Sequence, residues 1–373
     1  MIPFGKRLAF VCSSRSFGGL ELTTVRLAKA MQDRGISVLV VVPPHSPLEE
    51  RAVALKLPVS TMAPAWKYGD LTASLRLGTI LKRERIERVI VMRSQDIHVC
   101  VLGSLAGPGS RLIFYQQMQS GHDKRDVFHS WIFSRLSLWM TLTPGMRRDV
   151  LLHTRMRPER VVVVPLGTDL GAFKPSLYRK KEARGRFGLP QNRTLVGVIG
   201  RLDIQKGQEV LLRAAPEVLR RHRDVHFVLA GEETRGESGY KSHLKELARS
   251  SGIESNVSFL PFTNDVARFL AALDVFVLPS FAETYGLVVI EAMAMKLPVI
   301  ATNAGGVPEI ITDRETGLLV EPRNSKEIAD AIHRLLTRPS LRSRLGKSAR
   351  AAALAKYDMD ACLDALLGAI AHS

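Results

Sequence analysis

Short runs of β-branched and other apolar residues alternate along the chain with longer segments in which apolar residues recur every three or four positions. The short runs predict buried strands at residues 8–12, 38–42, 89–92, 112–115 and 161–164, and then at 195–199, 226–230, 257–259, 275–278, 299–301 and 317–320. Residues 20–34 and 70–85 have helical spacing. Such alternation is typical of parallel βαβ construction. The pattern therefore predicts an α/β protein with two doubly wound sheets.

The length of the chain, 373 residues, exceeds what one hydrophobic core usually organises, so two domains are expected. The strand pattern stops after 161–164, and turn-forming residues accumulate in 165–169. We predict an N-terminal Rossmann-like domain of residues 1–171 and a C-terminal one of residues 172–356. Because ligands of doubly wound sheets bind at the carboxyl ends of the strands, the active site is expected where those ends of the two sheets face each other.

The formal net charge of +17 leans toward the N-terminal half: residues 1–171 hold 24 Lys and Arg against 13 Asp and Glu, and residues 172–373 hold 29 against 23. Basic clusters at 82–88, 147–148 and 155–160 would attract phosphate groups. Nucleic acid, an anionic membrane surface and a phosphorylated glycolipid fit such a face, and a solvated helix face is the alternative. No nucleic-acid recognition motif occurs and only 6% of residues are aromatic, which disfavours nucleic acid.

The cysteines and the apolar runs indicate the compartment. Cys12, Cys100 and Cys362 are widely spaced and lack metal-ligand spacing, as expected of core residues in a reducing environment. The apolar stretch 8–12 is too short for a signal-peptide core, and no later run is long enough to span a bilayer. The sequence therefore predicts a cytoplasmic protein, and the basic clusters add the inner face of the membrane as a site of peripheral attachment.

A first candidate binding loop contains Gly18 and Gly19, directly after the strand at 8–12 and at the start of a helix. Glycine lets a phosphate approach backbone N–H groups at the positive end of the helix dipole. A tight strand-to-helix turn needs glycine in any case, so this signal is weak alone. The loop is neither G-x-G-x-x-G nor a P-loop, which disfavours a dinucleotide oxidoreductase or an NTPase.

A second loop runs from Gly200 to Gly207 after the strand at 195–199 and carries two cations five positions apart, Arg201 and Lys206. Two cations in a glycine-bounded loop at the carboxyl end of a strand suit the clamping of a diphosphate. They would also stabilise the charge that grows on a nucleoside diphosphate as it leaves. Two surface cations are the alternative.

A third loop follows the strand at 275–278 and carries a pair of acids, Glu283 on the turn and Glu291 about two turns into the next helix. One carboxylate can face a sugar while the other accepts hydrogen bonds from ribose hydroxyls. The residues after Glu283 would offer backbone N–H groups to phosphates at the helix N-terminus. These residues are Thr284, Tyr285, Gly286 and Leu287. The alternatives are a capping role for Glu283 and a solvated position for Glu291.

These loops resemble those of the retaining glycosyltransferases of family 4, which have the GT-B fold of two Rossmann-like domains. The resemblance rests on Gly200-Arg201-x4-Lys206-Gly207, on Glu283-x7-Glu291 with Gly286, and on the sequence Asn-Ala-Gly-Gly-Val-Pro-Glu at 303–309.

The resemblance implies that Arg201 and Lys206 bind the donor phosphates, that Glu283 contacts the donor sugar and that Glu291 contacts the ribose. It places Gly18 and Gly19 in the family's N-terminal glycine loop, beside the reaction centre. It also implies that the last helix, 357–373, returns to the N-terminal domain.

The sequence departs from the family at one position. Members often carry a His near the reacting sugar, where this chain has the segment 114–119 without one. Gln117 is a candidate to replace its hydrogen bond to the donor sugar, and His122, a few residues later, is a candidate catalytic residue if its loop folds suitably. A structural or solvated His122 is the alternative.

The implied reaction is transfer of a sugar from a UDP- or GDP-linked donor to a hydroxyl of a glycan or glycolipid, with the anomeric configuration retained, in lipopolysaccharide or other cell-envelope synthesis. No Asp-x-Asp cluster lies in a donor loop, so neither a metal nor another cofactor is expected. A catalytically silent sugar-nucleotide-binding scaffold, a phosphorylase or epimerase on the same fold, and a basic nucleic-acid-binding protein are the competing interpretations.

Overall fold

The structure of the protein is a computed structural model that describes residues 7–16, 18–66, 68–118, 123–233 and 239–372. It contains two compact units. The first ends at Pro165 and resumes at Cys362, and the second is Leu166–Ala361. Residues 166–171, expected in the first domain, belong to the second unit because Thr168 exchanges backbone hydrogen bonds with Tyr357 and Met359. Residues 357–361, expected to return to the first domain, stay in the second unit for the same reason.

The first unit contains a seven-stranded parallel sheet with the strand order β3-β2-β1-β4-β5-β6-β7. The strands are β1 (Arg7–Val11), β2 (Val38–Val42), β3 (Val59–Thr61), β4 (Ile86–Val91), β5 (Arg111–Gln116), β6 (Leu136–Thr141) and β7 (Val161–Val163). The sequence predicted five of them and missed β3 and β6. Because β1 pairs with both β2 and β4, the strand order reverses beside β1.

Six helices between these strands and the last helix of the chain complete the α/β layers of the first unit. They are α1 (Gly19–Asp33), α2 (Pro47–Ala54), α3 (Leu71–Arg83), α4 (Ile97–Ala106), α5 (Val127–Ser134), α6 (Pro144–His153) and α15 (Met359–Ala371), of which the part from Cys362 belongs here. Several begin at a side-chain cap: Asp70 accepts a hydrogen bond from the backbone of Ala73, and Asp126 from that of His129. A β-carbon on Gly78 would lie 2.9 Å from the carbonyl oxygen of Gly103, so glycine lets α3 and α4 pack closely.

The second unit contains a six-stranded parallel sheet with the order β10-β9-β8-β11-β12-β13. The strands are β8 (Thr194–Ile199), β9 (Val225–Ala230), β10 (Val257–Leu260), β11 (Val275–Leu278), β12 (Val299–Thr302) and β13 (Leu318–Val320). The sequence predicted all six within two residues. The helices are α7 (Lys180–Arg186), α8 (Gln208–Arg221), α9 (Tyr240–Ser250), α10 (Val266–Ala272), α11 (Leu287–Ala294), α12 (Val307–Ile310), α13 (Ser325–Thr337) and α14 (Pro339–Lys356).

A buried arginine ties α7 to the second sheet. The guanidinium of Arg184 donates to the carbonyl of Ala272 and, at 2.7 Å, to the carboxylate of Asp274. Asp274 also accepts a hydrogen bond from the backbone of Leu195 and pairs with Lys180 at 2.7 Å. This network joins the first helix of the unit to the start of β8 and to β11.

The basic clusters of the first unit are partly engaged within the fold. Arg147 donates to the carbonyls of Val161 and Pro158, and Glu84 pairs with both Arg7 and Arg83. Part of the charge predicted to attract phosphate is therefore committed to backbone or acidic groups. Across the described ranges, no helix has both the length and the hydropathy needed to cross a membrane.

Candidate functional site

The predicted cation loop and the predicted acid loop lie side by side in the second unit. They leave the carboxyl ends of β8 and β11, which are neighbours in the sheet although two strands separate them in sequence. This is the point where the strand order reverses, and such a switch point is the usual binding position in doubly wound sheets.

The two loops pack directly on each other. Phe281 donates its backbone N–H to the carbonyl of Gln205 at 2.8 Å. Gly207 has a φ of +67°, and a β-carbon there would lie 2.0 Å from the carbonyl oxygen of Pro279. Glycine is therefore required at this position both for its backbone conformation and for the close approach of the neighbouring loop.

An ion pair joins the two loops. Nζ of Lys206 lies 2.7 Å from Oε2 of Glu283, and the two side chains are 28% and 15% exposed. The hydroxyl of Ser280 lies 3.5 Å from the same carboxylate oxygen. A capping role for Glu283 is wrong, because Gly286 occupies the N-cap position of α11 and Glu283 pairs with Lys206.

The loop after β12 contacts the backbone of the same acid. Gly306 donates its N–H to the carbonyl of Glu283 at 2.8 Å. Gly305 has a φ of +60°, and a β-carbon there would lie 2.0 Å from that carbonyl oxygen. Three loops, from the carboxyl ends of β8, β11 and β12, therefore meet at Glu283.

Helix α11 begins four residues after Glu283, at Leu287. Gly286 has a φ of +81°, and a β-carbon there would be 3.3 Å from Cγ of Glu283, so this turn also favours glycine. The side chain of Tyr285 is buried and donates to the carbonyl of Leu166 at 2.8 Å. Tyr285 thus has a structural task, and the predicted phosphate contacts of the backbone at Thr284 to Leu287 stay a prediction.

The other two predicted residues differ in exposure. Glu291 lies in the second turn of α11 and is buried, so the alternative of a solvated glutamate is wrong. The side chain of Arg201 is 53% exposed and pairs with Asp203 at 2.7 Å. Nε2 of Gln208 holds the carbonyl of Arg201 at 2.7 Å, which orders the loop backbone beside Lys206. The donor-binding roles of Arg201 and Glu291 stay predictions.

Gly18 and Gly19 begin α1 after β1. Glu21 accepts a hydrogen bond from the backbone N–H of Gly18 at 2.8 Å, so a carboxylate already lies at this helix N-terminus. Both glycines are exposed, and a β-carbon on Gly19 would meet nothing within 4 Å. Neither close packing nor a left-handed backbone explains these glycines, and their contact with a donor stays a prediction.

Two residues that follow β5 in the sequence, Gln117 and His122, were predicted to take the place of the family's histidine. Nε2 of Gln117 is buried and has no hydrogen-bond partner among the residues that the structure describes. Its neighbour Gln116 accepts from the indole of Trp139 and donates to the carbonyl of Met118, which fixes the end of the strand. His122 lies outside the described residues.

A polar cluster at the switch point of the first sheet was not predicted. Asp96, after β4, is buried and accepts hydrogen bonds from the backbone and hydroxyl of Ser13, after β1. Arg93 donates to the same hydroxyl at 2.9 Å. Burial raises the pKa of the Asp96 carboxyl, and the Ser13 hydrogen bonds oppose that shift. Each of these residues follows a predicted strand, but no sequence spacing marks them as a motif, and the pairing of β1 with β4 is known only from the structure.

The described ranges contain no group of three or more His, Cys, Asp or Glu side chains placed to hold a metal ion. The loops after β8, β11 and β12 bring together a cation, Lys206, an acid, Glu283, and closely packed backbone at glycine positions. This arrangement suits an anionic ligand that also carries hydroxyls.

The two Rossmann-like parallel-sheet units give the chain the GT-B fold. Residues 17–172 match the family described as Glycosyltransferase Family 4, and residues 179–352 match the family described as Glycosyl transferases group 1. Together the two matches take in most of the chain, which is similar to GT-B glycosyltransferases in both units.

Named relatives share part of the sequence. The chain is 34% identical to D-inositol 3-phosphate glycosyltransferase of Corynebacterium diphtheriae over 61% of its own length and 54% of that protein. It is 33% identical to α-D-kanosaminyltransferase of Streptomyces kanamyceticus over 61% of its length and 58% of that protein. The match thus spans little more than half the length of these relatives.

Among solved structures, Anabaena Alr3699/HepE in complex with UDP-glucose superposes with a TM-score of 0.84 at 22% identity, over 98% of this chain and 100% of that one. At this identity the likeness shows the fold.

Proposed function

We propose that the protein transfers a sugar from a nucleoside diphosphate sugar to a hydroxyl of a glycan or glycolipid, with retention of anomeric configuration. The observation that carries the proposal is the pairing of Lys206 with Glu283 at the switch point of the second sheet, between glycine-shaped loops. Kinship with glycosyltransferases supports the reaction class, and the UDP-glucose complex of the Anabaena protein supports a UDP-linked donor.

In this proposal each site residue contacts a different part of the donor. Lys206 and Arg201 hold the diphosphate, Glu283 accepts hydrogen bonds from the sugar hydroxyls, and Glu291 accepts those of the ribose. Because Lys206 and Glu283 neutralise each other when no ligand is bound, an arriving diphosphate draws Lys206 toward its oxygens. That movement releases the Glu283 carboxylate for the sugar.

The transfer step needs no protein nucleophile. The bond between the anomeric carbon and the β-phosphate oxygen breaks, the acceptor oxygen bonds to that carbon on the same face, and the acceptor proton passes to the leaving phosphate. Lys206 and Arg201 act by stabilising the negative charge that grows on that phosphate. No step requires a metal ion, so a chelator should leave the rate unchanged.

The positive charge of the first unit supports an anionic acceptor. The basic excess of the first unit and the inositol 3-phosphate named for a relative both support a phosphorylated acceptor. A phosphorylated glycolipid at the cytoplasmic face of a membrane fits that chemistry, and cell-envelope glycan synthesis is the proposed setting.

The test separates the roles of the two paired residues. Lys206→Met should weaken UDP binding by roughly 10- to 100-fold, the value of a lost charge-assisted hydrogen bond of about 1.5–3 kcal/mol. Glu283→Gln should leave UDP affinity within about threefold, because UDP lacks the donor sugar whose hydroxyls Glu283 contacts in this proposal. The same variant should weaken UDP-sugar binding by about tenfold or more and lower the rate of transfer, since a hydrogen bond to a charged carboxylate is worth about 1.5–3 kcal/mol. Calorimetric titration with UDP, GDP and their sugars measures binding, and product formation with and without chelator measures transfer.

Two exposed residues of the same unit, Lys347 and Glu315, supply matched controls as Lys347→Met and Glu315→Gln. Unchanged binding of all nucleotides by Lys206→Met would contradict the site assignment. Tight binding of a nucleotide sugar without transfer to any acceptor would instead support the silent sugar-nucleotide-binding scaffold.

A further inference from the structure

The first unit exposes a group of large apolar side chains on residues 66 and 68–75 and on α5. They are Trp66, Tyr68, Leu71, Leu75, Val127, Phe128 and Trp131, with exposed fractions from 41% to 81%. We call this set the aromatic face. Apolar side chains exposed singly are ordinary on a protein surface, but a contiguous group of this size marks an interaction site.

Ring contacts show that the two segments are contiguous. The rings of Tyr68 and Phe128 lie 5.9 Å apart between centroids. Both contact the buried His98 of α4, with centroid distances of 4.5 Å to Tyr68 and 5.3 Å to Phe128, and the Phe128 ring is stacked on it. His98 therefore joins the two segments and holds the rings in fixed orientations.

The aromatic face is separate from the core surfaces of its helices. On α3, Leu71 and Leu75 are one turn apart and exposed, whereas Leu77 and Leu81 are fully buried. On α5, Val127 and Trp131 are one turn apart and exposed, whereas Ile132 and Phe133 are buried. Both helices thus have an apolar side that the core covers and a second apolar side that faces solvent.

Cations lie in or next to the same segments. They are Arg76, Lys124, Arg125 and Arg135, against the acids Asp123 and Asp126. The guanidinium of Arg135 lies 5.3 Å from the centroid of the Trp131 ring. Trp and Tyr with neighbouring Arg and Lys are the side chains that collect at the boundary between lipid headgroups and acyl chains.

The composition of the face distinguishes between occupants. A glycan would stack on the aromatic rings, but Leu71, Leu75 and Val127 offer it no hydrogen bonds. An anionic bilayer uses all three features, since acyl chains accept the aliphatic groups, the interface accepts the aromatic rings, and acidic headgroups accept the cations.

We infer that the aromatic face docks the protein peripherally on an anionic bilayer, with Leu71, Val127 and Trp131 entering the headgroup boundary and the flanking cations on acidic lipids. The inference goes beyond sugar transfer and does not depend on it. It also assigns attachment to residues other than the basic clusters at 82–88, 147–148 and 155–160.

The experiment uses the full chain, without donor or acceptor, and vesicles of phosphatidylcholine alone or mixed with phosphatidylglycerol. Co-sedimentation should show binding to the anionic vesicles, part of which persists at about 1 M KCl, where the Debye length is about 3 Å. Brominated acyl chains should quench tryptophan fluorescence. Of the three tryptophans, Trp139 is buried in the core, so quenching reports on Trp66 and Trp131.

The double variant Val127→Ser/Trp131→Ser should lower vesicle partitioning by about tenfold or more, because it removes two apolar side chains that the inference places in the headgroup boundary. Leu177→Ser and Leu354→Ser, which alter side chains 60% and 46% exposed in the second unit, should bind as the parent does. Circular dichroism and UDP titration check that the double variant is folded and keeps its nucleotide affinity. Lys206→Met should retain vesicle binding, so failure of the proposed function and failure of this inference are distinguishable.

Equal partitioning of the parent and the double variant, or tryptophan emission insensitive to brominated lipid, would overturn the inference. A dimer seen by light scattering, lost in the double variant and accompanied by no vesicle binding, would assign the face to a second copy of the chain and would also overturn it.

Discussion

Single residues determine how closely the loops of the candidate site approach one another. Gly207 lies against the carbonyl of Pro279 and Gly305 against that of Glu283, and both have a left-handed backbone. Gly188 has the same backbone conformation, with a φ of +62°, but open space where its β-carbon would be. This contrast separates the cost of the backbone conformation from the cost of the contact.

Gly188→Ala should destabilise the protein by about 1–2 kcal/mol, the cost of a left-handed alanine. Gly207→Ala should cost more than about 3 kcal/mol, since the β-carbon adds a clash with a carbonyl oxygen that only displacement of the loop relieves. Urea denaturation followed by circular dichroism measures both. Equal losses in the two variants would show that the loops are not in contact.

His226 is a buried titratable residue in the second sheet. Its Nε2 lies 2.8 Å from the hydroxyl of Ser258. Burial, assisted by the charge of Arg193, lowers the pKa of His226 to about 4 from the usual 6.5. The fold thus favours neutral imidazole, and its contribution to stability is fully present above pH 6.5 and is lost as the pH falls toward 4.

The free energy of unfolding should therefore fall by up to about 3 kcal/mol between about pH 6.5 and pH 4 through His226 alone. His226→Gln should remove that part of the slope and leave a smaller one, since burial and the neighbouring His333 also lower the pKa of His222. His243→Gln, on an exposed side chain, is the control. A full slope in His226→Gln would contradict the assignment.

Residue identity alone predicted part of the site. Lys206 and Glu283 were predicted because each lies in a loop directly after an apolar strand, and each loop combines charged residues with glycine. The fold places those two strands side by side. Asp96 and Ser13 were missed, since a buried acid and a serine eighty-three positions apart carry no signal until β1 and β4 are paired. The buried hydrogen bond of Tyr285 likewise depends on a contact distant in sequence.

At the scale of elements, buried parallel strands were predictable and marginal ones were not. Of the thirteen strands among the described residues, the eleven that were predicted are rich in apolar residues and lie between more polar segments. β3 is a half-buried Val-Ser-Thr of three residues, too short to show a period. β6 follows α5 in an apolar stretch without Gly or Pro between them, so nothing in the sequence separates helix from strand.

The attachment of α7 to the second sheet supplies a matched pair of variants. Arg184→Met should cost about 3–5 kcal/mol, because it removes the buried cation paired with Asp274 and leaves the carbonyl of Ala272 without that donor. Lys180→Met, which removes a half-exposed partner of the same acid, should cost less than about 1 kcal/mol. Thermal unfolding measures both, and equal losses would show that burial does not govern this network.

At the scale of the whole molecule, the chain forms two compact units, and the second holds the candidate donor site. The number of domains was predictable from length and from the two strand series. The residues at which the chain passes from one unit to the other were not predictable. The segment after β7 pairs with residues near 358, and no local sequence pattern indicates that pairing.

Calorimetry should resolve two unfolding transitions. The transition that Arg184→Met lowers belongs to the second unit, and UDP at a hundredfold excess over its dissociation constant should stabilise that unit by about 2.7 kcal/mol. The other transition should not move. A rise confined to the transition that Arg184→Met leaves unchanged would place nucleotide binding in the first unit.

The meeting of three loops at Glu283 also constrains any redesign of the proposed donor preference. A variant in which only residues 279–286 come from a relative would have to fit against the loops 200–207 and 303–306, where Gly207 and Gly305 leave no room for a displaced backbone. The three loops should therefore be exchanged together when a new sugar specificity is sought.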